Sequence, residues 1–282
     1  MRAGVWIKRV IPSSEVRNAF RVGAYLPADA LELITGKRNS LVPPRGMRFD
    51  SAESYASMGR VGLRALQQFC DLRPKSRTLD VGCGAGRMAV PYTEYLTSGS
   101  YEGFDIVPSW ISWCQKNISA RYSNVRFTWV DVYSKHYNSK GKVAARDFVF
   151  PYETSSFDCA MLMSIFTHML PDGIENYIRQ LARVLKTHGK AYVTTLLLND
   201  ESLDAIESKR SIFDFRHHLG DCRVVDKDFP ETTIAVPEKD VIKWFAAAGL
   251  KPTIMYGSWA GRKNCNGVHD DIVVEMLRDG SR

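Results

Sequence analysis

Thr78-Leu-Asp-Val-Gly-Cys-Gly-Ala-Gly-Arg87 is the stretch whose reading decides the fold of this 282-residue chain. A short apolar run ends in Gly82-x-Gly84-x-Gly86, and a helical pattern starts near Arg87. A strand that enters a helix through glycines lets the backbone approach a ligand closely, while the first helical turn offers N–H groups without partners. This much announces a nucleotide-like ligand, because the dinucleotide fingerprint Gly-x-Gly-x-x-Gly begins the same way. Two details separate the alternatives. The third glycine comes one position early and leaves Arg87 where the fingerprint wants Gly or Ala. Asp80 also stands two residues before Gly82, where a carboxylate repels a pyrophosphate and suits a ligand bearing an ammonium group.

S-adenosylmethionine is such a ligand, and the flanking sequence supports an adenosine moiety. From residue 77 short apolar runs alternate with amphipathic stretches, the pattern of a parallel sheet with crossover helices. Seven strands are expected at 78–81, 101–106, 125–130, 157–163, 191–198, 253–256 and 272–276. Helices are expected over 50–69, with Asp50 and Glu53 as a capping box, from Pro171 to Leu185, and from Pro237 to Gly249. Asp105 falls at the carboxyl end of the second strand, followed by Ile106, where a carboxylate can accept both ribose hydroxyls. Asp131 falls just past the third, placed to accept from an adenine amino group, with Val132 as an apolar wall or backbone donor. Each aspartate alone reads equally as a helix N-cap, but three at three successive strand ends do not.

On these residues, together with the fourth-strand segment Phe157-Asp-Cys-Ala-Met-Leu-Met-Ser-Ile-Phe-Thr-His-Met169, the sequence resembles the class I S-adenosylmethionine-dependent methyltransferases over roughly residues 50 to 277. The resemblance implies an α/β fold: a doubly wound, mostly parallel sheet of seven strands in the order 3-2-1-4-5-7-6, the last strand antiparallel. It also implies Asp80 and the glycine turn around the methionine part, Asp105 on the ribose and Asp131 near adenine. The cofactor-binding set is then Asp80, Gly82, Cys83, Gly84, Arg87, Asp105, Ile106, Asp131, Val132 and Ser164. Two domains of unequal size follow: a basic N-terminal extension at 1–48 that serves as a cofactor lid, and the methyltransferase domain at 49–282. Loop insertions at 133–156 and 199–236 are long enough to build the substrate surface.

In this superfamily the loop after the fourth strand, here Ser164-Ile-Phe-Thr-His-Met169, meets the methyl acceptor. The Asn/Asp-Pro-Pro-aromatic motif of enzymes that methylate amino groups of bases or glutamine is missing from it. A hydroxyl acceptor needs a base near neutral pKa, and His168 is the histidine expected beside the methyl group. His217 and His218 are weaker candidates in the second long loop, and their adjacency aims them apart, so no metal site is expected. His269-Asp270-Asp271 reads as a strand entry. Trp110, Tyr133, Tyr137, Tyr152 and Trp259 are candidates for an apolar or sugar-stacking pocket. Gly257-Ser-Trp-Ala-Gly-Arg262 and Pro43-Pro-Arg-Gly-Met-Arg-Phe49 loosely resemble bacterial enzymes acting on sugars and other small metabolites. The expected activity is therefore O-methylation of a small molecule or glycan. Alternatives are an RNA or protein methyltransferase, for which Lys135, Lys140, Lys142 and Arg146 speak, and a non-catalytic cofactor-binding protein.

Composition narrows the rest. With 45% hydrophobic and 24% charged residues the chain is neither disordered nor fibrous, and no run of apolar residues is long enough to span a membrane. Six cysteines without a Cys-x-x-Cys pair read as buried thiols in a reducing compartment, hence a cytoplasmic protein. The net charge of +7 is entirely N-terminal: residues 1–77 hold 14 Lys and Arg against 6 Asp and Glu, and the remainder 24 against 25. Such a start reads as a solvated extension, a contact for an anionic substrate or membrane surface, or a targeting segment. Residues 1–48 are expected to be irregular.

Overall fold

A computed structural model describes residues 14–36, 39–48, 51–265 and 267–277. In chain order the helices are α1 (Ser14–Ile34), α2 (Ala52–Phe69), α3 (Ala89–Tyr95), α4 (Pro108–Cys114), α5 (Pro171–Val184), α6 (Asp200–Glu207) and α7 (Glu238–Ala247). The strands are β1 (Arg77–Val81), β2 (Ser100–Asp105), β3 (Val125–Trp129), β4 (Phe157–Leu162), β5 (Leu185–Thr195), β6 (Leu197–Leu198), β7 (His217–Leu219), β8 (Cys222–Val224), β9 (Ile234–Pro237), β10 (Leu250–Met255) and β11 (Asp270–Met276).

The main sheet has seven strands in the order β10-β11-β5-β4-β1-β2-β3. β1 to β5 run parallel, and β11 is antiparallel to both of its neighbours. Four short strands, β6 to β9, intervene before the last two, so the expected 3-2-1-4-5-7-6 becomes 3-2-1-4-5-11-10. Both faces of the sheet's centre are covered, and its central strands β1 and β4 are buried along nearly their whole length, whereas β3, β10 and β11 alternate. In β4, Cys159 and Met161 join the cluster of Leu66, Tyr92 and Ile111 beneath α2, α3 and α4. Ala160 and Leu162 join Ile174, Leu181 and Phe245 from α5 and α7 on the other face. The two-residue repeat of a strand divides one short segment between two cores.

The 199–236 stretch is a folded unit, not a loop: β6 to β9 form a second sheet in the order β6-β9-β8-β7. Asp270 at the start of β11 joins it to the main sheet. Its carboxylate accepts from Leu197 N at 2.8 Å, Gly257 N at 2.8 Å and Trp259 Nε1 at 2.6 Å. Trp259 is fully buried with its ring edge against Phe215, so it is a structural residue and does not line a substrate pocket.

Two further expectations are corrected. Residues 14–34 are helical rather than irregular, while 1–13 lie outside the described residues; Gly23 and Pro27 inside the helix mask the pattern that a propensity reading looks for. The cap of α2 is Ser51, whose hydroxyl accepts from Ser54 N at 3.1 Å, while Asp50 lies outside the described residues. Among the described residues no helix is long and apolar enough to cross a membrane, and no group of three metal-ligating side chains is placed to hold an ion. Cys70, Cys83, Cys114, Cys159 and Cys222 are buried as free thiols.

Candidate active site

At the carboxyl edge of the main sheet the glycine turn is held from the side by β2. Gly82 N and Cys83 N both donate to the Phe104 carbonyl, at 2.8 and 3.0 Å. Gly84 N donates to Asp105 Oδ2 at 2.8 Å, and Val107 N to Asp105 Oδ1 at 2.9 Å. Gly82 takes a positive φ of 73°, and a Cβ there would stand 2.0 Å from Ile165 Cδ1. Only glycine lets this turn lie against the loop after β4.

Asp80 and Asp105 are both buried at this turn. Burial pushes the Asp80 carboxyl up to about 7, against the hydroxyl donated by Tyr101 and the positive charge of Arg87. Burial likewise pushes Asp105 up to about 6, against the three backbone N–H groups of Val107, Gly84 and Ile106. Two desolvated carboxyls on one cavity wall favour a ligand that returns positive charge and hydroxyl donors to them. With these backbone donors on it, the Asp105 carboxylate still has lone-pair capacity to accept from a ribose hydroxyl.

The cavity has a volume of about 460 Å³ and is lined by Asp80, Gly82, Cys83, Gly84, Arg87, Asp105, Ile106, Val132, Ser164 and His168. These ten sequence-predicted residues are thus brought together by four strand ends. Asp131 is the exception. It is half-buried and not among the lining residues; its carbonyl accepts from Lys142 N and Val143 N, and its carboxylate lies 3.5 Å from Asn138 Nδ2. Pairing with the 138–143 turn draws it away, and Val132 reaches the cavity instead. Trp110, Tyr133 and Tyr137 also line it, whereas Tyr152, His217 and His218 do not. His218 is on the exposed β7–β8 hairpin beside Arg223.

Opposite the glycine turn, both insertions meet the loop after β4. His168 Nδ1 lies 3.0 Å from the main-chain carbonyl of Glu231. A carbonyl only accepts, so Nδ1 carries the proton and Nε2 is the basic nitrogen of the neutral ring. The Glu231 carboxylate accepts from Ser134 Oγ at 2.9 Å and from His136 N at 3.4 Å. Burial raises its pKa, against those donors. The Tyr137 ring stands edge-on to His168 and tilted against Trp110. Ser164, at the end of β4, has a φ of 59°, and its N–H donates to Thr194 Oγ1 at 2.7 Å. A strained non-glycine backbone pinned in this way is a feature of functional sites.

Four lining residues have no signal in the sequence. Glu231 and Ser134 are 97 positions apart, and only the folding of both insertions brings them together. Met47 and Arg48 arrive from the N-terminal segment, with Met47 packed on Ala85, Val107 and Trp110. The Pro43–Phe49 stretch hinted at a lid, but nothing in it distinguishes these two positions.

The residues present fit S-adenosylmethionine: buried carboxyls for its ammonium and ribose groups, a glycine turn that leaves it room, and Ile106, Val132 and Trp110 as apolar walls. Residues 78–189, from β1 into β5, match a family model described as a methyltransferase domain. Among solved structures the fold is similar to that of the PH0226 protein from Pyrococcus horikoshii, at 18% identity and a TM-score of 0.55, covering 79% of this chain and 91% of that one. It is also similar to the [4+2]-cyclase SpnF, at 16% identity and a TM-score of 0.51, covering 93% and 96%. Likeness at this identity shows the fold alone, since one fold hosts many activities. Residues 78–189 thus carry a methyltransferase domain, and the match lies over this glycine turn and its two buried carboxyls.

Proposed function

We propose that the enzyme methylates a hydroxyl group of a small molecule or carbohydrate, with His168 as the base. The observation that carries this reading is the hydrogen bond from His168 Nδ1 to the Glu231 carbonyl, which leaves Nε2 basic in the same cavity as the glycine turn. When bound, S-adenosylmethionine supplies an electrophilic methyl group on a sulfonium sulfur. Asp105 would accept its ribose hydroxyls, Asp80 would hold its ammonium group, and Ile106 and Val132 would offer apolar surface to its adenine. His168 Nε2 takes the acceptor's hydroxyl proton, and the Glu231 carbonyl stabilises the imidazolium that results. Tyr137 and the 134–137 turn hold the acceptor in line and exclude water.

Two features favour a small acceptor over RNA or protein. The two insertions and the Met47–Arg48 segment all contribute to the cavity lining, which bounds the room for an acceptor. Lys135, one of the basic residues that suggested a polyanion, is engaged within the chain at the surface: its Nζ donates to the Asp228 carbonyl at 2.7 Å and sits over the Phe229 ring. A screen of labelled methyl transfer from S-adenosylmethionine to sugars, phenols, amines and RNA tests the reading. Label in ether linkage on a sugar or phenol is the expected result; label on RNA or on amines alone overturns it.

A further inference from the structure

Helix α1 presents two unlike faces. Its inner face carries Val22, which packs on Gly46, Asp29, which accepts Arg45 N at 2.9 Å, and Glu32, which pairs with Arg45 and Arg48. These contacts hold the segment whose next residues, Met47 and Arg48, roof the cavity. The opposite face is a stripe of Phe20, Ala24, Pro27, Leu31 and Ile34, spaced i, i+4, i+7, i+11 and i+14 along one side of the helix. It faces solvent: Phe20 is 67%, Leu31 63% and Ile34 84% exposed. An apolar band on a helix already anchored by its other side marks a docking surface.

Charge selects the occupant. Residues 1–48 hold nine Lys and Arg against three Asp and Glu, and two of those three acids, Asp29 and Glu32, are engaged on the inner face. A second copy docking through the same stripe would bring this basic segment against itself. A nucleic acid would use the charge but leave the apolar stripe in water. Apolar side chains flanked by basic residues are matched by the interface of an anionic lipid bilayer, where the chains sink to the acyl boundary and the cations meet phosphates. We propose that α1 lies in the plane of an anionic membrane surface, with Phe20, Leu31 and Ile34 inserted. The same helix then faces the bilayer and carries the cavity roof. This inference stands apart from the choice of methyl acceptor.

The test is co-sedimentation of the full chain with vesicles of phosphatidylcholine alone and of equal parts phosphatidylcholine and phosphatidylglycerol, with sedimentation velocity run without lipid. The expected result is binding to the anionic vesicles, at least tenfold weaker for neutral vesicles and for the double variant Phe20→Glu, Leu31→Glu. Circular dichroism checks that the variant folds, and Phe20→Ser, Leu31→Ser replaces it if it does not. Wild type that stays in the supernatant, or variant and wild type bound alike, overturns the proposal. So does a dimer, concentration-dependent and abolished by the same substitutions, which would make a second copy the occupant.

Discussion

His168 Nδ1 and the main-chain carbonyl of Glu231 are 3.0 Å apart, although they lie 63 positions apart in the chain. The contact joins the loop after β4 to the turn before β9 and fixes which imidazole nitrogen is basic. His168→Ala is expected to leave S-adenosylmethionine affinity unchanged and to lower kcat about 10²–10⁴-fold, the usual contribution of a general base. Calorimetric binding beside steady-state kinetics checks both, and full turnover by the variant would remove His168 from the chemistry.

Glu231 separates positioning from chemistry, because its carbonyl serves His168 while its carboxylate serves Ser134 and His136. Glu231→Gln retains the carbonyl and weakens the hold on the 134–137 turn. Hydrogen bonds to a charged group contribute about 1.5–3 kcal/mol, so the acceptor KM should rise roughly tenfold or more while kcat stays within a few-fold. A kcat collapse with unchanged KM would instead make the carboxylate part of the proton transfer.

Asp80 and Asp105 set a pH dependence whose sign follows from their burial. Both carboxyls are raised from an ordinary 3.8, to about 7 and about 6. Between pH values of about 4 and 7 the folded chain holds protons that the unfolded chain has released, so their contribution to stability falls as pH rises through that window. The penalty is complete above the folded pKa values and absent below about 4. Thermal melts from pH 5 to 8 should therefore fall more steeply for wild type than for Asp80→Asn. Binding of a ligand bearing an ammonium group should also expel a proton from Asp80 at pH 6.5, read as a buffer-dependent binding enthalpy that Asp80→Asn loses.

Asp270 anchors the second sheet, and Arg262, itself nearly buried, lies 3.4 Å from it. Asp270→Ala leaves Leu197 N, Gly257 N, Trp259 Nε1 and Arg262 with a missing acceptor. Removing one member of such a buried charged network costs about 3–5 kcal/mol. Denaturant unfolding should show that loss, and Asp270→Asn a smaller one.

What the sequence made legible followed local rules. The glycine turn, Asp80 and Asp105 stand at fixed offsets within one β-turn-α unit and its neighbour, so ten of the eleven named site residues reach one cavity. Asp131 is not among the lining residues; it pairs with a turn formed by 138–143, which strand periodicity does not encode. Strands β6 to β9 are two to four residues long, too short for an alternation to register. Glu231, Met47 and Arg48 join the site through contacts made only in the tertiary fold. The stripe of α1 escaped notice because Pro27 and Gly23 stand inside it.

The central claim is that this cavity holds S-adenosylmethionine through Asp105 and the glycine turn. It is tested most directly by calorimetric titration of wild type and Asp105→Ala with S-adenosylmethionine, S-adenosylhomocysteine and NADH. Binding of the first two by wild type, weakened at least tenfold in the variant with no uptake of NADH, is the predicted result. Equal affinity in both proteins, or preference for NADH, would contradict it.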